Sequence, residues 1–373
     1  MRVLMTGGGT AGHVNPALAI AATIKEHHPE AEIAFVASAL ARDKAGDLVP
    51  RAGYPLHTVH IQGLARPLWT PSNIKLPFVM AQAKREAAEL IDTFRPDLIV
   101  GTGGFACWPI CHVGSKRGIP TVLHESNALP GKAIMRLKDR ADAVLVNFAD
   151  TAARLGGGKR VIHVGNPMMP GFATLSREEA RRQLGLTDKD FFVLSFGGSS
   201  GAEYVNDAIV SLAATMADDR LYDRVKLLHA AGARDIERNR LAWSRAGIDN
   251  ISRFTLTNYI YDMPLQMAAA DLVISRAGAM TLSELALMGK AAILIPSPYV
   301  AENHQFKNAM ALVAQDAAVC VEEKNLSDGA LIVAVRELLE NPDRRAAMEG
   351  NIRTFAMPDA NARILEVLTS IVG

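Results

Sequence analysis

The sequence predicts an α/β protein built from two Rossmann-like, doubly wound domains in tandem. Short apolar runs alternate with stretches of helical periodicity, which is typical of a parallel sheet covered by helices on both faces. A strand followed by a glycine-rich loop occurs twice, and the two loops begin at Gly7 and Gly197. The length of 373 residues fits two domains of this kind.

In the first half, a strand is predicted at 2–6 and an amphipathic helix after the glycine loop. Further strands are predicted at 32–38, 97–104, 119–126, 142–148 and 160–165. Pro167 and Pro170 interrupt regular structure. We therefore expect an N-terminal domain at 1–165 and a C-terminal domain at 166–373.

The second half repeats the pattern. The stretch at 191–202 predicts a strand, a glycine loop and a helix start, and further strands are predicted at 225–232, 271–278 and 291–298. The final helix, about 356–373, is a candidate to pack back on the N-terminal domain. Ligands bind outside the carboxyl ends of parallel strands, so two domains facing a cleft would place both loops at its rim.

The composition narrows the class of protein. A formal net charge of +1 argues against nucleic acid as a partner. The first residues lack the features of a signal peptide and no apolar run is long enough to span a bilayer, so we expect a cytoplasmic protein. Cys107, Cys111 and Cys320 lack the spacing of a disulfide framework or a zinc site, and we expect buried thiols.

The first loop spells G-x-G-x-x-G with Gly7, Gly9 and Gly12. A dinucleotide site usually has an acid at the end of the second strand, but the predicted strand at 32–38 ends without one. His13 follows the last glycine at the predicted helix start, where anions and a neutral imidazole are favoured. The residue is a candidate base, and the alternative is that it only caps or packs.

The second loop combines Gly197, Gly198 and Gly201 with the hydroxyls of Ser199 and Ser200. Backbone N–H groups of such a loop suit a phosphate or a diphosphate. No Gly-Lys-Ser/Thr follows, so the loop is not a Walker A motif. A tight turn between strand and helix is the alternative.

Three further segments carry candidate ligand-binding groups. In 275–284, Glu284 lies about one turn into a predicted helix and can accept hydrogen bonds from two ribose hydroxyls, unless it only complements the helix dipole. In 298–309, amides such as Gln305 and Asn308 suit sugar hydroxyls, with capping as the alternative. In 124–131, Asn127 lies where a ligand would bind, whereas His124 and Glu125 fit satisfied buried polar groups better.

These motifs, in this order, resemble the MurG family, the UDP-N-acetylglucosamine transferases that complete peptidoglycan lipid II. The resemblance covers nearly the whole chain and rests on GGGTAGHVNPALAIA, GTGGFACWP, IPTVLHESNALPG, VGNP, FGGSSGA, YIYDM, SRAGAMTLSE and NHQFKNA. It implies a two-domain GT-B fold without a D-x-D metal site or another cofactor. The implied reaction is inverting transfer from UDP-GlcNAc to the 4-hydroxyl of MurNAc in lipid I, the undecaprenyl-diphosphate-linked acceptor.

The resemblance also implies roles for individual residues. His13 would be the base or electrostatic stabiliser at the acceptor hydroxyl, and Asn127 would contact the N-acetylglucosamine. Ile260 would meet uracil through its backbone, and Glu284 would bind the ribose. The remaining substrate-binding positions are Thr10, Ala11 and Gly12 at the sugar and diphosphate, Ser199 and Ser200 at phosphate, Ala279, Met280, Thr281, Leu282 and Ser283 at sugar and phosphate, and Gln305 and Asn308 at sugar hydroxyls.

The chain departs from the family pattern at three positions. Ala11 replaces a glycine that is common in the first loop, so the backbone there must accept a Cβ. Ser200 stands where many members have Gln, and Met169 stands where many carry an Arg. If that Arg helps to bind the donor diphosphate, another group must replace it here.

The implied acceptor is a membrane lipid, so we expect a peripheral protein on the inner face of the cytoplasmic membrane. An apolar stretch with basic neighbours suits anionic lipid, and a buried helix with a solvated rim is the alternative. The stretch comprises Trp69, Ile74, Leu76, Phe78, Val79 and Met80, with the cations Lys75, Lys84, Arg85, Arg136, Lys138 and Arg140. Proteins of cell-wall synthesis or division are candidate partners.

Three other functions stay open at this point. One is another UDP-sugar transferase of the GT-B type, with a lipid or natural-product acceptor. The second is a UDP-GlcNAc epimerase, which would consume UDP-GlcNAc without a lipid acceptor. The third is a nucleotide-sugar-binding protein without catalytic activity, which would be stabilised by its ligand but release no UDP.

Overall fold

The computed structural model describes residues 1–40, 43–62, 76–156, 160–199 and 201–373. The chain forms two compact units, one comprising Met1–Pro170 and Met357–Gly373 and the other Gly171–Ala356. Each unit is a parallel sheet with helices, so the predicted class of two Rossmann-like α/β domains is confirmed.

The first unit contains a seven-stranded parallel sheet in the order β3-β2-β1-β4-β5-β6-β7. Its strands are β1 (Arg2–Gly7), β2 (Glu32–Ser38), β3 (Leu56–Val59), β4 (Leu98–Gly103), β5 (Thr121–Glu125), β6 (Ala143–Val146) and β7 (Arg160–His163). Its helices are α1 (Ala11–His27), α2 (Ala45–Arg51), α3 (Leu76–Phe94), α4 (Cys107–Lys116), α5 (Lys132–Leu137) and α6 (Ala149–Leu155), followed at the chain end by the C-terminal helix Ala360–Val372.

The second unit contains a six-stranded parallel sheet in the order β10-β9-β8-β11-β12-β13. Its strands are β8 (Phe191–Phe196), β9 (Val225–Ala230), β10 (Phe254–Thr257), β11 (Leu272–Ser275), β12 (Ala292–Leu294) and β13 (Val319–Cys320). Its α-helices are α7 (Gly171–Thr174), α8 (Arg177–Gln183), α9 (Glu203–Asp218), α10 (Ile236–Arg245), α11 (Met263–Ala269), α12 (Ala279–Met288), α13 (His304–Val313), α14 (Ala330–Glu340) and α15 (Pro342–Arg353), with short 3₁₀ helices at Arg220–Tyr222, Ala301–Asn303 and Glu323–Asn325.

Both sheets have the same topological switch point. β1 lies between β2 and β4, and β8 lies between β9 and β11, so the strand order reverses at β1 and at β8. Ligands of open α/β sheets bind at such a point, outside the carboxyl ends of the strands. Each glycine loop leaves its sheet there, directly after β1 or β8.

The packing of α4 on the first sheet accounts for two of the three cysteines. Cys107 and Cys111 are fully buried free thiols whose Sγ atoms lie 3.8 Å apart. A Cβ at Gly101 of β4 would lie 2.7 Å from the Cys107 sulfur, so this glycine lets the helix approach the strand. Cys320 is half-buried in the second unit.

The C-terminal helix is held in the first unit by a paired amide contact. Asn361 Nδ2 donates to Met168 O at 2.8 Å, and the Met168 N–H donates to Asn361 Oδ1 at 2.9 Å. The chain therefore returns to the first unit after completing the second.

Trp69 and Ile74 of the predicted apolar stretch, and the neighbouring cation Lys75, lie outside the described residues. The α3 helix buries Ala83, Ala87 and Ile91, whereas Phe78 is 80% exposed. Across the described residues, no helix is both long enough and apolar enough to cross a membrane.

Candidate active site

The first glycine loop joins β1 to α1. Gly9 has φ of +91°, a conformation that favours glycine. Ala11 is the first residue of α1, where right-handed helical dihedrals accept its Cβ without strain. No side chain caps this helix start, and Gly12 beside it is exposed, so the N-terminus of α1 is open to an anionic ligand.

His13 is oriented by the end of β4. Its Nδ1 lies 3.0 Å from Thr102 O, and a carbonyl can only accept, so Nδ1 carries the proton of the neutral ring. The Thr102 hydroxyl donates to His13 O at 2.7 Å, which ties the same two residues together a second time. A Cβ at Gly103, where φ is +104°, would lie 2.8 Å from His13 Nδ1. The ring is thus presented with Nε2 as its proton acceptor.

Asn127 lies in a loop after β5 that a buried carboxylate organises. Glu125, 3% exposed, accepts from the Asn127 N–H at 2.9 Å, from Asn127 Nδ2 at 3.2 Å and from the Gly131 N–H at 2.7 Å. His124 donates from Nε2 to Gly165 O at 3.0 Å, and burial lowers its pKa to about 4, so its ring is neutral. Glu125 and His124 are satisfied polar groups that position the loop.

The second glycine loop joins β8 to α9. Ser199 is half-buried in this loop, whereas Ser200 lies outside the described residues. Gly198 and Gly201 have φ of +98° and +89°. No side chain caps α9, so this loop also ends at a helix start that suits a phosphate.

A buried polar chain beneath the second loop was not identified from the sequence. Asn206 Nδ2 donates to Ala231 O at 3.0 Å, which leaves its Oδ1 as the acceptor for His229 Nε2 at 3.1 Å. His229 Nδ1 then accepts from Ser195 Oγ at 3.1 Å. Burial lowers the pKa of His229 to about 4, so the ring is neutral and uses both nitrogens. The only sequence signal was one histidine within an apolar strand.

Glu284 lies in α12, which follows β11 and begins without a side-chain cap. The residue is 8% exposed, and burial raises the pKa of its carboxyl to about 7. No charge or donor among the described residues offsets this effect. A buried carboxylate without a partner is costly, and two hydroxyl donors from a ligand would relieve that cost.

The other residues predicted to contact the nucleotide-sugar donor lie in the same unit, and their side chains differ in exposure. Gln305 Oε1 accepts from the Ser297 N–H at 2.9 Å and so holds the segment after β12, whereas Asn308 Nδ2 donates to Ala277 O at 3.3 Å and ties α13 to the segment after β11. Buried are Ile260, Ala279 and Leu282, and half-buried are Met280, Thr281 and Ser283.

Arg276 is a cation at the end of β11. It lies within the predicted ligand-binding segment 275–284 but was not among the predicted site residues. It donates to Ile295 O at 3.1 Å and forms an ion pair with Glu323, and both side chains are largely buried. The pair fixes the segment that leads into α12.

The structure thus groups the predicted residues by unit. Thr10, His13 and Asn127 follow β1 and β5 at the carboxyl edge of the first sheet. Ser199, Ile260, Glu284 and Gln305 follow β8, β10, β11 and β12 at the carboxyl edge of the second.

Comparison with known proteins agrees with this two-part arrangement. Residues 3–146 match the Glycosyltransferase family 28 N-terminal domain, and residues 192–364 match the Glycosyltransferase family 28 C-terminal domain. The chain belongs to glycosyltransferase family 28.

Two relatives with full-length similarity share one name, UDP-N-acetylglucosamine--N-acetylmuramyl-(pentapeptide) pyrophosphoryl-undecaprenol N-acetylglucosamine transferase. The protein of Moorella thermoacetica is 37% identical over 375 residues, covering 100% of this chain and 99% of its own length. That of Desulforamulus reducens is 35% identical over 374 residues, covering 100% and 99%.

Solved structures place this family 28 chain in the GT-B fold. MurG of Acinetobacter baumannii has a TM-score of 0.69 at 24% identity, covering 99% of both chains. The UDP-GlcNAc 2-epimerase of Neisseria meningitidis has a TM-score of 0.66 at 14% identity, covering 99% of this chain and 100% of its own. At these identities the likeness concerns the fold alone.

Proposed function

We propose that this glycosyltransferase transfers N-acetylglucosamine from UDP-GlcNAc to the 4-hydroxyl of MurNAc in lipid I, forming lipid II for peptidoglycan synthesis. The observation that carries the proposal is identity of 35–37% along both domains to transferases named for this reaction. The site residues are consistent with it, because the second unit offers a partnerless carboxylate and the first a histidine with a free nitrogen.

The first unit supplies the base. In a single displacement with inversion, the acceptor oxygen bonds to the anomeric carbon while the bond from that carbon to the UDP oxygen breaks. His13 Nε2 takes the proton of the attacking hydroxyl, and the Nδ1–H bond to Thr102 O supports the charge that the ring gains. Thr10, Ala11 and Gly12 contact the donor through the helix start, and Asn127 contacts its sugar.

The second unit holds the donor. Ser199 and Ser200 bind phosphate beside the start of α9, and the backbone of Ile260 meets uracil. Glu284 accepts from the ribose hydroxyls, which matches a buried carboxyl that has no protein partner. Ala279 to Ser283, Gln305 and Asn308 complete the sugar and phosphate contacts. Helix N-termini stabilise the charge that develops on the departing UDP.

A basic and apolar surface of the first unit supports peripheral binding to the inner face of the cytoplasmic membrane. Lys84, Lys116 and Arg140 all lie close enough to His112 to lower its pKa, after the larger effect of burial. Phe78 on the same helix as Lys84 is 80% exposed. Such a surface suits a membrane that contains anionic lipid, and lipid I would be taken from that membrane. Proteins of cell-wall synthesis or division are further proposed partners of the enzyme.

The test is UDP release from UDP-GlcNAc with and without a lipid I analogue. We expect release that depends on the analogue and a disaccharide-linked product. Turnover with other acceptors but not with lipid I would favour a different GT-B transferase. UDP-GlcNAc consumption without any acceptor would favour an epimerase, and ligand-induced stabilisation without turnover would favour a binding protein.

A further inference from the structure

A buried aspartate occupies the same place in both units. Asp43 lies five residues beyond Ser38, where β2 ends, and Asp235 lies five residues beyond Ala230, where β9 ends. They are 8% and 9% exposed. Both strands neighbour the strand that leads into a glycine loop, so each carboxylate reaches the loop of its own unit.

Asp43 joins three segments of the first unit through its two oxygens. Oδ1 accepts from the Gly9 N–H at 2.7 Å and from the Ala45 N–H at 3.0 Å, and Oδ2 accepts from the Ser38 N–H at 3.2 Å. A Cβ on Gly8 would lie 2.6 Å from Oδ2. The carboxylate therefore holds the glycine loop against the end of β2 and the start of α2.

Asp235 contacts the second loop at its last glycine. A Cβ on Gly201 would lie 2.7 Å from Asp235 Oδ2. Asn206 Nδ2, at 3.5 Å, connects the same oxygen to α9 and to the His229 chain beneath the loop. Arg234 Nε donates to Oδ1 at 3.0 Å, which partly balances the charge.

In dinucleotide-binding sheets, an acid at the end of the second strand binds the ribose of the ligand. Here each acid lies a few residues further on and is directed at the glycine loop instead. Asp43 accepts three backbone N–H groups, so it has little capacity left for ligand hydroxyls. At Asp43, support of the loop therefore takes the place of ligand recognition.

We propose that Asp43 and Asp235 are positioning residues, each of which holds the glycine loop of its own unit in its ligand-binding conformation. The consequences differ because the loops differ: Asp43 acts on the loop that precedes His13, and Asp235 on the loop that contains Ser199. The kinetic part rests on the proposed function, in which the first loop serves the chemistry and the second the donor. The anchoring itself does not depend on that function.

The test compares Asp43→Asn and Asp235→Asn in the full-length chain. The amide keeps the size of the side chain, but its NH₂ group cannot accept a hydrogen bond. In Asp43→Asn one of the three backbone N–H groups therefore meets a donor, and in Asp235→Asn the donor from Arg234 or from Asn206 does, which disturbs the packing of the carboxyl against Gly201. Asp47→Asn and Asp207→Asn are matched controls, since these solvent-accessible aspartates form ion pairs with Arg51 and Arg238.

Hydrogen exchange followed by mass spectrometry reads the anchoring directly. We expect peptides covering 7–13 to exchange about tenfold faster in Asp43→Asn, and peptides covering 197–206 to do so in Asp235→Asn, with the other loop unchanged. Faster exchange throughout both units would overturn the inference, and so would an unchanged exchange rate in the anchored loop. If an Asn variant restores its loop through the remaining amide oxygen, Asp43→Ala and Asp235→Ala test the same expectation. Exchange in each variant is then compared with wild type at temperatures equally far below the respective melting temperatures.

Kinetics and calorimetry then separate the two roles. We expect Asp43→Asn to lower kcat about tenfold with the Kd of UDP within about threefold of wild type, and Asp235→Asn to raise that Kd about tenfold. If kcat fell and the Kd of UDP rose by similar factors in both variants, the role would be merely structural and the proposal would be contradicted. Local exchange as expected with unaltered kinetics would support the anchoring and contradict the proposed function of the loops.

Discussion

The two glycine loops are built alike but placed beside different chemistry. Each follows the switch-point strand of a parallel sheet, ends at an uncapped helix and contacts a buried aspartate. The first is followed by His13, whose ring is oriented by Thr102, whereas the second shares its sheet edge with the partnerless carboxyl of Glu284. The loop geometry suits phosphate in both, and the adjoining side chain distinguishes the proposed catalytic unit from the proposed donor-binding unit.

Removal of the histidine should have the largest effect. We expect His13→Ala to lower kcat about a hundredfold or more, in the range of general-base catalysis, while UDP still binds. His27→Ala is the matched control, because His27 is in the same helix and its Nδ1 also lies 3.0 Å from a carbonyl, Thr23 O. Steady-state turnover and calorimetry measure both. Wild-type turnover in His13→Ala would remove the distinction between the loops.

Glu284→Gln should affect binding and pH dependence in the other unit. The Glu284 pKa is raised to about 7, so the carboxylate that we propose as the acceptor for ribose hydroxyls forms as pH rises through that value. We expect UDP to bind the wild type more tightly at pH 8 than at pH 6, and Glu284→Gln to bind about tenfold more weakly at pH 8 with no such pH dependence. Calorimetry at both pH values, with exposed Glu237→Gln as control, measures this.

The same substitution predicts a change of stability with a definite sign. A raised pKa makes the protonated Glu284 contribute stability that is complete below about 4.5, its usual pKa, and lost as pH rises through about 7. Relative to Glu284→Gln, the wild type should lose on the order of 3 kcal/mol of unfolding free energy across this range. Urea denaturation at several pH values measures it, and a constant difference would contradict burial as the cause.

Gly103→Ala should sharpen the comparison with a smaller effect. Gly103 and Gly118 both have positive φ, so alanine strains both, but only at Gly103 would the Cβ meet His13. We expect Gly103→Ala to lower kcat about tenfold beyond any effect of Gly118→Ala, with the Kd of UDP unchanged. Equal kinetics in the two variants would show that the orientation of His13 is unimportant.

The smallest effect concerns the membrane. Lys84→Ala should weaken binding to anionic vesicles about fivefold at low salt, as expected for one basic residue near the surface. Lys25→Ala, the same change on α1, should leave binding unchanged. Vesicle co-sedimentation measures both, and identical affinities would argue against the surface around His112.

Most of the fold could be predicted because buried parallel strands are near-continuous apolar runs. The strands that the sequence did not predict, β3, β10 and β13, all lie at sheet edges. An edge strand has one neighbour and part of it meets solvent, so its apolar pattern is weak: His57 and Thr58 of β3 are exposed. β7, at the remaining edge, was predicted from its apolar stretch at 160–165.

Candidate residues could be selected from the sequence where a suitable residue type stands beside a recognisable turn, as for His13 and Glu284. They could not be selected where a side chain acts through distant backbone. Asp43 is absent from the predicted end of the second strand, and nothing local shows that it binds the N–H of Gly9, 34 residues away. The same holds for His229, whose partners Ser195 and Asn206 lie 34 and 23 residues away.

Periodicity, glycine spacing and residue type are local properties, so the sequence by itself determined the fold class and the two glycine loops, and it predicted the type of chemistry at each. Sheet packing brings together the atoms that decide three further features. These are which nitrogen of His13 is free, why the pKa of Glu284 is raised to about 7, and where the two aspartates direct their oxygens. Hydrogen-bond direction and desolvation act over a few ångströms, and only the tertiary structure decides which groups come that close.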